Sequence, residues 1–397
     1  MNLVKEFIKS WNENGLQYTA SQVKIFIKNF IRNERFVNNN PVLTGIIKEQ
    51  TLCGPELVQL DLTNNCNNSC IGCWIHSPKI HSKQNDEQKK KFISTEKILE
   101  TLIQLKKIKT KTILLSGGGE PFMHCDIRKI IKKIKTLGMR IIIITNFNLV
   151  TKKDVKFLVK LGVNELLISL WAATSKTYVA THPNQTITSF EKIKKNLEYL
   201  MNLIEKRKIP KVRLLNVLTK KNYHELIEMI KFGEKLGVHE IEFTLIDTIK
   251  EKTDQFLLNK KEQEDLKKQI NQYQTNGKTN VFGLERFKIR IKEKNFSEGN
   301  YDQTLVDSIP CYAGYSYTRI MADGRVIPCC KGHLHPLGNI NQKTFKDIWF
   351  SPKYEEFRLK AKNLKKNNSY FKKIDCYKGC DNFIENLRIH NLIKNLK

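Results

Sequence analysis

The chain has 397 residues, 40% of them apolar, enough for one large domain or two smaller ones around buried cores. No apolar run approaches the ~18 residues that span a bilayer. Met1–Gly15 carries charge inside its apolar pattern without cleavage-site logic, so the sequence predicts a cytoplasmic chain with no signal peptide. The formal charge of +29 admits nucleic acid, an anionic membrane surface or an acidic substrate, but lysines are spread over almost every helical face and no arginine cluster is interleaved with aromatics, which disfavours nucleic acid.

Residues 1–52 read as a helical extension. Thr19 or Ser21 can cap a helix with Val23, Ile27, Phe30 and Ile31 at helical spacing, and Asn38–Asn39–Asn40–Pro41 breaks the pattern. Nothing strand-rich lies there, so no peptide-clamping module is predicted. From 53 to 248 strands and helices alternate. Strands are predicted at 57–62, 112–116, 140–145, 166–170, 212–218 and 241–245. Helices start at Ser94/Thr95, after Asp126, near Val155, at a Thr188/Glu191 capping box and at an Asn222/Glu225 cap, with Gly138, Gly162 and Gly237 as stops. About six β/α units imply a parallel sheet, either doubly wound or curled. The reactive loops follow strand C-termini, where barrels build their sites, which favours an α/β fold with a partial (β/α)6 TIM-like barrel. Residues 249–304 read as a charged linker, helix then hairpin, without chemical residues. Residues 305–397 read as a small α+β cysteine-rich domain.

Ten cysteines in a chain of this size point to metal or redox chemistry more than to disulfides. Asn64–Trp74 reads N-N-C-N-N-S-C-I-G-C-W, which spaces Cys66, Cys70 and Cys73 as C-x3-C-x2-C among polar turn formers. Three soft thiolates favour zinc or iron–sulfur. Either a fourth ligand such as His76 or His81 closes a structural zinc site, or one iron stays open and chelates a cofactor. The strand at 112–116 then runs into Gly117–Gly118–Gly119–Glu120–Pro121, whose glycines allow close backbone approach to a ligand.

These two motifs, in this order and strand context, resemble the radical S-adenosylmethionine superfamily. The resemblance implies a [4Fe–4S] cluster on Cys66, Cys70 and Cys73, with S-adenosylmethionine chelated to the fourth iron. It further implies reductive cleavage to a 5′-deoxyadenosyl radical that takes a hydrogen from the substrate. Cofactor contacts are expected at Trp74, Gly117, Gly118, Gly119, Glu120, Pro121, Asn146 and Ser169. Asn216, polar in an apolar strand, is either a core amide or a ligand contact. One position departs from the family pattern: Gly72 stands before the last cysteine where an aromatic residue is usual, and Trp74 follows it.

A second cysteine module begins at Cys311. An Asp323–Gly324 hairpin turn delivers Cys329 and Cys330, and Cys376 and Cys380 follow as C-x3-C. A zinc ribbon would satisfy this spacing. Gly324 and Cys329 as G-x4-C, with Leu337–Ile340 and Asp347–Trp349 after them, resemble the SPASM/twitch extension of radical SAM enzymes. That resemblance implies one auxiliary [4Fe–4S] cluster on Cys311, Cys329, Cys376 and Cys380, with Cys330 as an alternative to Cys329. Cys330 and Cys125 are candidate hydrogen donors. Trp171, Tyr178 and His182 form an aromatic–polar loop at the predicted mouth and are candidate substrate contacts suited to a sugar. The expected activity is epimerisation or oxidation of a carbohydrate, surface-glycan related. The runner-up is maturation of a ribosomally made peptide. A zinc-stabilised, non-catalytic nucleic-acid-binding protein is the alternative from another class. Expected partners are a small-molecule or peptide substrate and an electron donor such as flavodoxin or ferredoxin.

Overall fold

A computed structural model describes residues 40–80, 82–205, 209–273 and 279–395. The helix expected over 19–31 and His81 lie outside the described residues. Six parallel strands follow the predicted order: β1 (Leu57–Asp61), β2 (Thr112–Ser116), β3 (Arg140–Thr145), β4 (Glu165–Ser169), β5 (Lys211–Leu218) and β6 (Glu240–Leu245). Helices between them cover one face. Thr95–Lys107 starts at an Ser94 cap, and Ile127–Thr136 buries Ile127, Ile130, Ile131 and Ile134 against the sheet. Lys152–Leu161 ends at Gly162 in the left-handed region.

The sheet continues beyond the predicted units on both sides. β7 (Asn280–Phe282) adds parallel to β6, so the hairpin expected in 249–304 is a single strand instead. β8 (Tyr317–Ile320) adds parallel to β1 on the other flank, then turns through Gly324 (φ +84°) into β9 (Arg325–Ile327) and β10 (Gly338–Asn339). The order β10-β9-β8-β1-β2-β3-β4-β5-β6-β7 leaves β7 and β10 unpaired with each other, so the curl is a partial barrel. The strands alternate in what they face. On β5, Val212, Leu214, Asn216 and Leu218 are buried under helices, and the register puts Ser169, Leu215, Glu242 and Arg213 on the concave side.

Two predicted caps do other work. The helix Ile187–Ile204 is capped by Thr186 with Ser189, two residues earlier than the Thr188/Glu191 reading. Asn222 and Glu225 do not cap by their side chains. Asn222 donates to the Trp171 carbonyl at 2.9 Å, and Glu225 accepts from Ala173 N–H at 3.0 Å and from the Thr174 hydroxyl at 2.8 Å. Both fasten the loop after β4.

Candidate active site

The loop after β1 gathers Cys66, Cys70 and Cys73 close enough to influence one another electrostatically. Burial pushes the Cys66 thiol up to about 12, holds Cys70 well above its ordinary range and raises Cys73. Such thiols stay protonated until a cation compensates their buried charge. Main-chain N–H groups already point at two of the sulfurs: Asn68 N reaches Cys66 Sγ at 3.4 Å, and His76 N reaches Cys73 Sγ at 3.2 Å. Three soft donors with N–H groups aimed at sulfur fit an iron–sulfur group. His76, the other zinc candidate, holds its ring Nε2 at 2.6 Å from the Asn64 carbonyl.

The glycine turn docks under the first half of this loop. Gly117 has φ +144°, and a Cβ there would lie 2.7 Å from the Asp61 Cβ; a Cβ on Gly119 would collide with the main chain of Asn64 and Asn65. The Glu120 N–H donates to Asn65 O at 2.8 Å, and Pro121 opens a short 3-10 turn. The Glu120 carboxylate is buried and accepts from the Thr145 hydroxyl (2.7 Å), Asn146 N–H (2.7 Å) and Phe122 N–H (3.1 Å). Burial outweighs these donors and pushes it up to about 7. Glu120 thus braces the loops after β2 and β3 against each other. Asn146 extends the brace, donating to Asn67 Oδ1 at 2.8 Å. Ser169 accepts from Trp171 Nε1 at 2.9 Å, and Trp171 itself sits at φ +61°, a strained conformation for a non-glycine residue.

Cys66, Cys70, Cys73, Gly117, Gly118, Gly119, Glu120, Asn146, Ser169 and Trp171 line one cavity of about 360 Å³. The missing aromatic at Gly72 has a steric reason. A Cβ there would stand 2.6 Å from Ile246 Cδ1 and 4.0 Å from the edge of the Trp171 ring. Of the two readings of Asn216 the structure matches burial in the core: it lies on the opposite side of β5 from Val217, which lines the cavity, and its amide atoms have no hydrogen-bond partner. Tyr178 and His182 are corrected too. Both are essentially fully buried behind the cysteine loop, stacked on each other at 4.4 Å. Their segment buttresses the loop through Thr181 O to Ile71 N–H and Gln185 Nε2 to Asn67 O. Burial holds His182 down at about 4, so the packed ring is neutral. Cys125 is exposed and lines none of the cavities described here.

Cys311, Cys329, Cys376 and Cys380 converge around a second, small void of about 40 Å³. Burial, then the charges of Cys376, Cys311, Cys330 and Cys380, lift the Cys329 thiol far up. Cys330 also lines this void, and its sulfur lies 3.1 Å from the Tyr317 hydroxyl and 3.4 Å from Gln59 Oε1. The 249–304 segment is not chemically blank. Arg286 donates to Cys380 O and to Asp302, Arg290 forks onto Asp302 at 2.7 and 2.6 Å, and Asp302 accepts from Cys380 N–H at 2.6 Å.

A chamber of about 750 Å³ adjoins the first cavity and shares Trp74, Gly117, Asp247, Lys331 and Asp381 with it. Its walls include Trp74, Gly117, Gln59, Tyr317, Arg319, Cys330, Lys331, Asp247 and Asp381. Trp74 Nε1 donates to Asp247 O at 2.7 Å, Lys331 pairs with the Asp247 carboxylate, and Arg319 forks onto buried Asp61 at 2.6–3.1 Å. Burial pushes Lys331 down to about 8. Sequence reasoning missed Gln59, Asp61, Tyr317 and Arg319. Their signal was present as polar residues at alternate positions of otherwise apolar strands, all on the concave face.

Comparison with known proteins completes the assignment. Residues 60–233 match the radical SAM superfamily, and residues 311–381 match SPASM, an iron–sulfur cluster-binding domain. The chain belongs to the radical SAM superfamily. As a radical SAM enzyme with a SPASM domain, it uses a [4Fe–4S] cluster with S-adenosylmethionine and an auxiliary [4Fe–4S] cluster. It is 26% identical over 327 residues to the tungsten-containing aldehyde ferredoxin oxidoreductase cofactor-modifying protein of Pyrococcus furiosus, covering 78% of this chain and 84% of that protein. A probable GTP 3′,8-cyclase of Saccharolobus islandicus is 27% identical over 187 residues, 47% of this chain and 55% of that protein. The fold resembles Streptococcus suis SuiB bound to S-adenosylmethionine, with a TM-score of 0.60 at 20% identity over 94% of this chain and 87% of that one. SuiB has also been solved bound to its precursor peptide SuiA, a structure this chain matches with a TM-score of 0.59 at 20% identity over 87% of this chain and 76% of that one.

Proposed function

We propose that this radical SAM enzyme removes a hydrogen atom from a substrate held in the chamber that adjoins the first cysteine-lined cavity. In this reading Cys66, Cys70 and Cys73 hold the catalytic cluster and Cys311, Cys329, Cys376 and Cys380 the auxiliary one. The bound cluster and S-adenosylmethionine supply a 5′-deoxyadenosyl radical when an external donor, such as flavodoxin or ferredoxin, delivers an electron. The chain's own residues do the rest. Gly117–Gly119 offer main-chain polar groups to the methionyl end, Glu120 and Asn146 fix those loops, and Trp171 closes the cavity wall. Cys330, on the chamber wall, is the thiol within reach of a substrate; exposed Cys125 is not.

The observation that carries this reading is the chamber itself, whose walls join the glycine turn and Trp74 to Cys330 and Lys331 in one space. Its lining reaches the starts of β1 and β2, where Glu56, Lys111, Glu385 and Arg388 are linked by ion pairs. A second cleft of about 670 Å³ shares Trp74, Gly117, Arg319 and Cys330 and runs out past Gln88 and Lys250. Two neighbouring cavities with shared walls suit an extended chain better than a compact molecule, which supports a peptide or protein segment as substrate. The precursor peptide bound by SuiB agrees with it. The carbohydrate reading retains Trp171 on the cavity wall but loses the support of Tyr178 and His182.

The test is iron and sulfide content with the visible spectrum after anaerobic reconstitution, together with 5′-deoxyadenosine formation under a strong reductant. Wild type should carry about eight irons and form 5′-deoxyadenosine. Replacing Cys66, Cys70 and Cys73 by Ala should leave about four irons and abolish that product. Zinc without iron, or an unchanged spectrum in the variant, would overturn the reading.

A further inference from the structure

Three buried polar atoms in and beside the cysteine loop have no hydrogen-bond partner: Oδ1 and Nδ2 of Asn68, between Cys66 and Cys70, and the Tyr178 hydroxyl. Asn68 is 1% exposed and Tyr178 0%. Folded proteins seldom bury such groups unpaired, and an orphan commonly marks a partner that arrives with a ligand. These three are neighbours. The Asn68 amide lies next to both Cys70 and the Tyr178 hydroxyl yet meets neither at hydrogen-bonding geometry. Cys66 and Cys73 each accept main-chain N–H groups from residues two or three positions further along. At Cys70 the sulfur has its own main-chain N–H and the Asn68 amide beside it, and among the described residues no N–H group of a following residue reaches it.

We propose that, in the iron-loaded protein, Tyr178 and Asn68 form a donor relay onto the sulfur of Cys70. The Tyr178 hydroxyl donates to Asn68 Oδ1, and Asn68 Nδ2–H donates to the thiolate. One relay then satisfies all three orphans and gives Cys70 a donor beyond its own main-chain N–H. The buried Cys70 thiol is a weak acceptor, whereas an iron-bound thiolate is a strong one, so the relay closes on loading. Hydrogen bonds to cluster sulfur favour the more negative, reduced state and raise the reduction potential. Tyr178 and Asn68 are therefore positioning residues that ease the first electron onto the catalytic cluster. The inference rests on the radical SAM reading of Cys66, Cys70 and Cys73.

The experiment is an anaerobic redox titration followed by electron paramagnetic resonance on reconstituted wild type, Tyr178→Phe, Asn68→Ala and the double variant. The signal lost in the Cys66/Cys70/Cys73 triple variant identifies the catalytic cluster. Tyr178→Phe keeps the ring that stacks on His182 and packs on Phe190 at 5.6 Å, so its fold and iron content are retained. Both single variants should lower the potential of the catalytic signal and leave the auxiliary signal in place. The double variant should fall no lower than Asn68→Ala, because Tyr178 acts through Asn68. An unchanged catalytic potential in iron-replete Tyr178→Phe, or an equal shift of both signals, overturns the relay. A wild type that takes up no iron overturns the family-based assignment beneath it, a result that the other outcomes cannot mimic.

Discussion

At Gly119 the constraint is steric rather than conformational. A side chain there would meet the main chain of Asn64 and Asn65, whereas at Gly118 it would meet Asn64 Oδ1 and Ile75 Cδ1, side-chain ends rather than main chain. Gly119→Ala should therefore push the turn off the cysteine loop, at a cost of about 1–3 kcal/mol, and weaken S-adenosylmethionine binding to the reconstituted protein at least tenfold. Gly118→Ala should bind within a few-fold of wild type; equilibrium dialysis separates the two, and equal losses would contradict the steric account. Gly72 makes a second such pair. Restoring the family's aromatic residue by Gly72→Phe should cost iron and thermal stability, because Ile246 fills the space, and Gly72→Phe with Ile246→Ala should recover both. If the double variant is no better than the single one, Ile246 is not what excludes the aromatic ring. The first cysteine group and the glycine turn were legible in the sequence because their spacing is local, and the second through its Asp323–Gly324 hairpin and its Cys376/Cys380 pair. Tyr178 and His182 were not, since adjacency to Trp171 in sequence says nothing about which side of the cysteine loop a helix turn passes.

The strands from Leu57 to Leu245 could be read from apolar alternation and their order, since a parallel β/α chain leaves few alternatives. The segment 249–304 could not, because its chemistry depends on partners far along the chain. Arg286 and Arg290 lie on the helix Leu284–Arg290 and meet Asp302, which holds the N–H of Cys380, 78 residues further on. Asp302 is fully buried and carries two guanidinium groups, so its carboxylate is held below its usual range despite its burial, above all by the hydrogen bond from Arg290. Removing that charge leaves two arginines without their counterion, a loss of roughly 3–5 kcal/mol for a buried pair. Asp302→Asn should loosen the Cys380 loop and lower iron from about eight to about four per chain, the remainder being the catalytic cluster. Iron analysis with 5′-deoxyadenosine formation checks this: the product should persist while half the iron is lost. Retention of all the iron would reduce this network to a structural brace.

Across the whole molecule the sequence suggests a boundary near 305, but the sheet runs through it. β8 pairs with β1 from Leu57↔Tyr317 to Leu60↔Ile320, so the cysteine-rich module supplies a barrel strand. It also supplies the counterion of Asp61: Arg319 forks onto this carboxylate, whose own burial raises its pKa, while Asp61 packs beneath Gly117. The chamber walls come from both parts, with Trp74 and Asp247 on one side and Tyr317, Cys330 and Lys331 on the other. A chain cut after residue 304 would thus expose the full edge of β1, leave a buried carboxylate unpaired and open the chamber. An unpaired edge of this length invites association, and the orphaned charge costs several kcal/mol. Residues 1–304 should therefore behave as an aggregated, iron-poor protein, whereas the full chain with Cys311, Cys376 and Cys380 replaced by Ala keeps β8 and should remain soluble with about four irons. Size-exclusion chromatography with iron analysis distinguishes the two. A monomeric 1–304 fragment that takes up about four irons and forms 5′-deoxyadenosine would mean that the barrel folds alone and that β8 only completes the chamber wall.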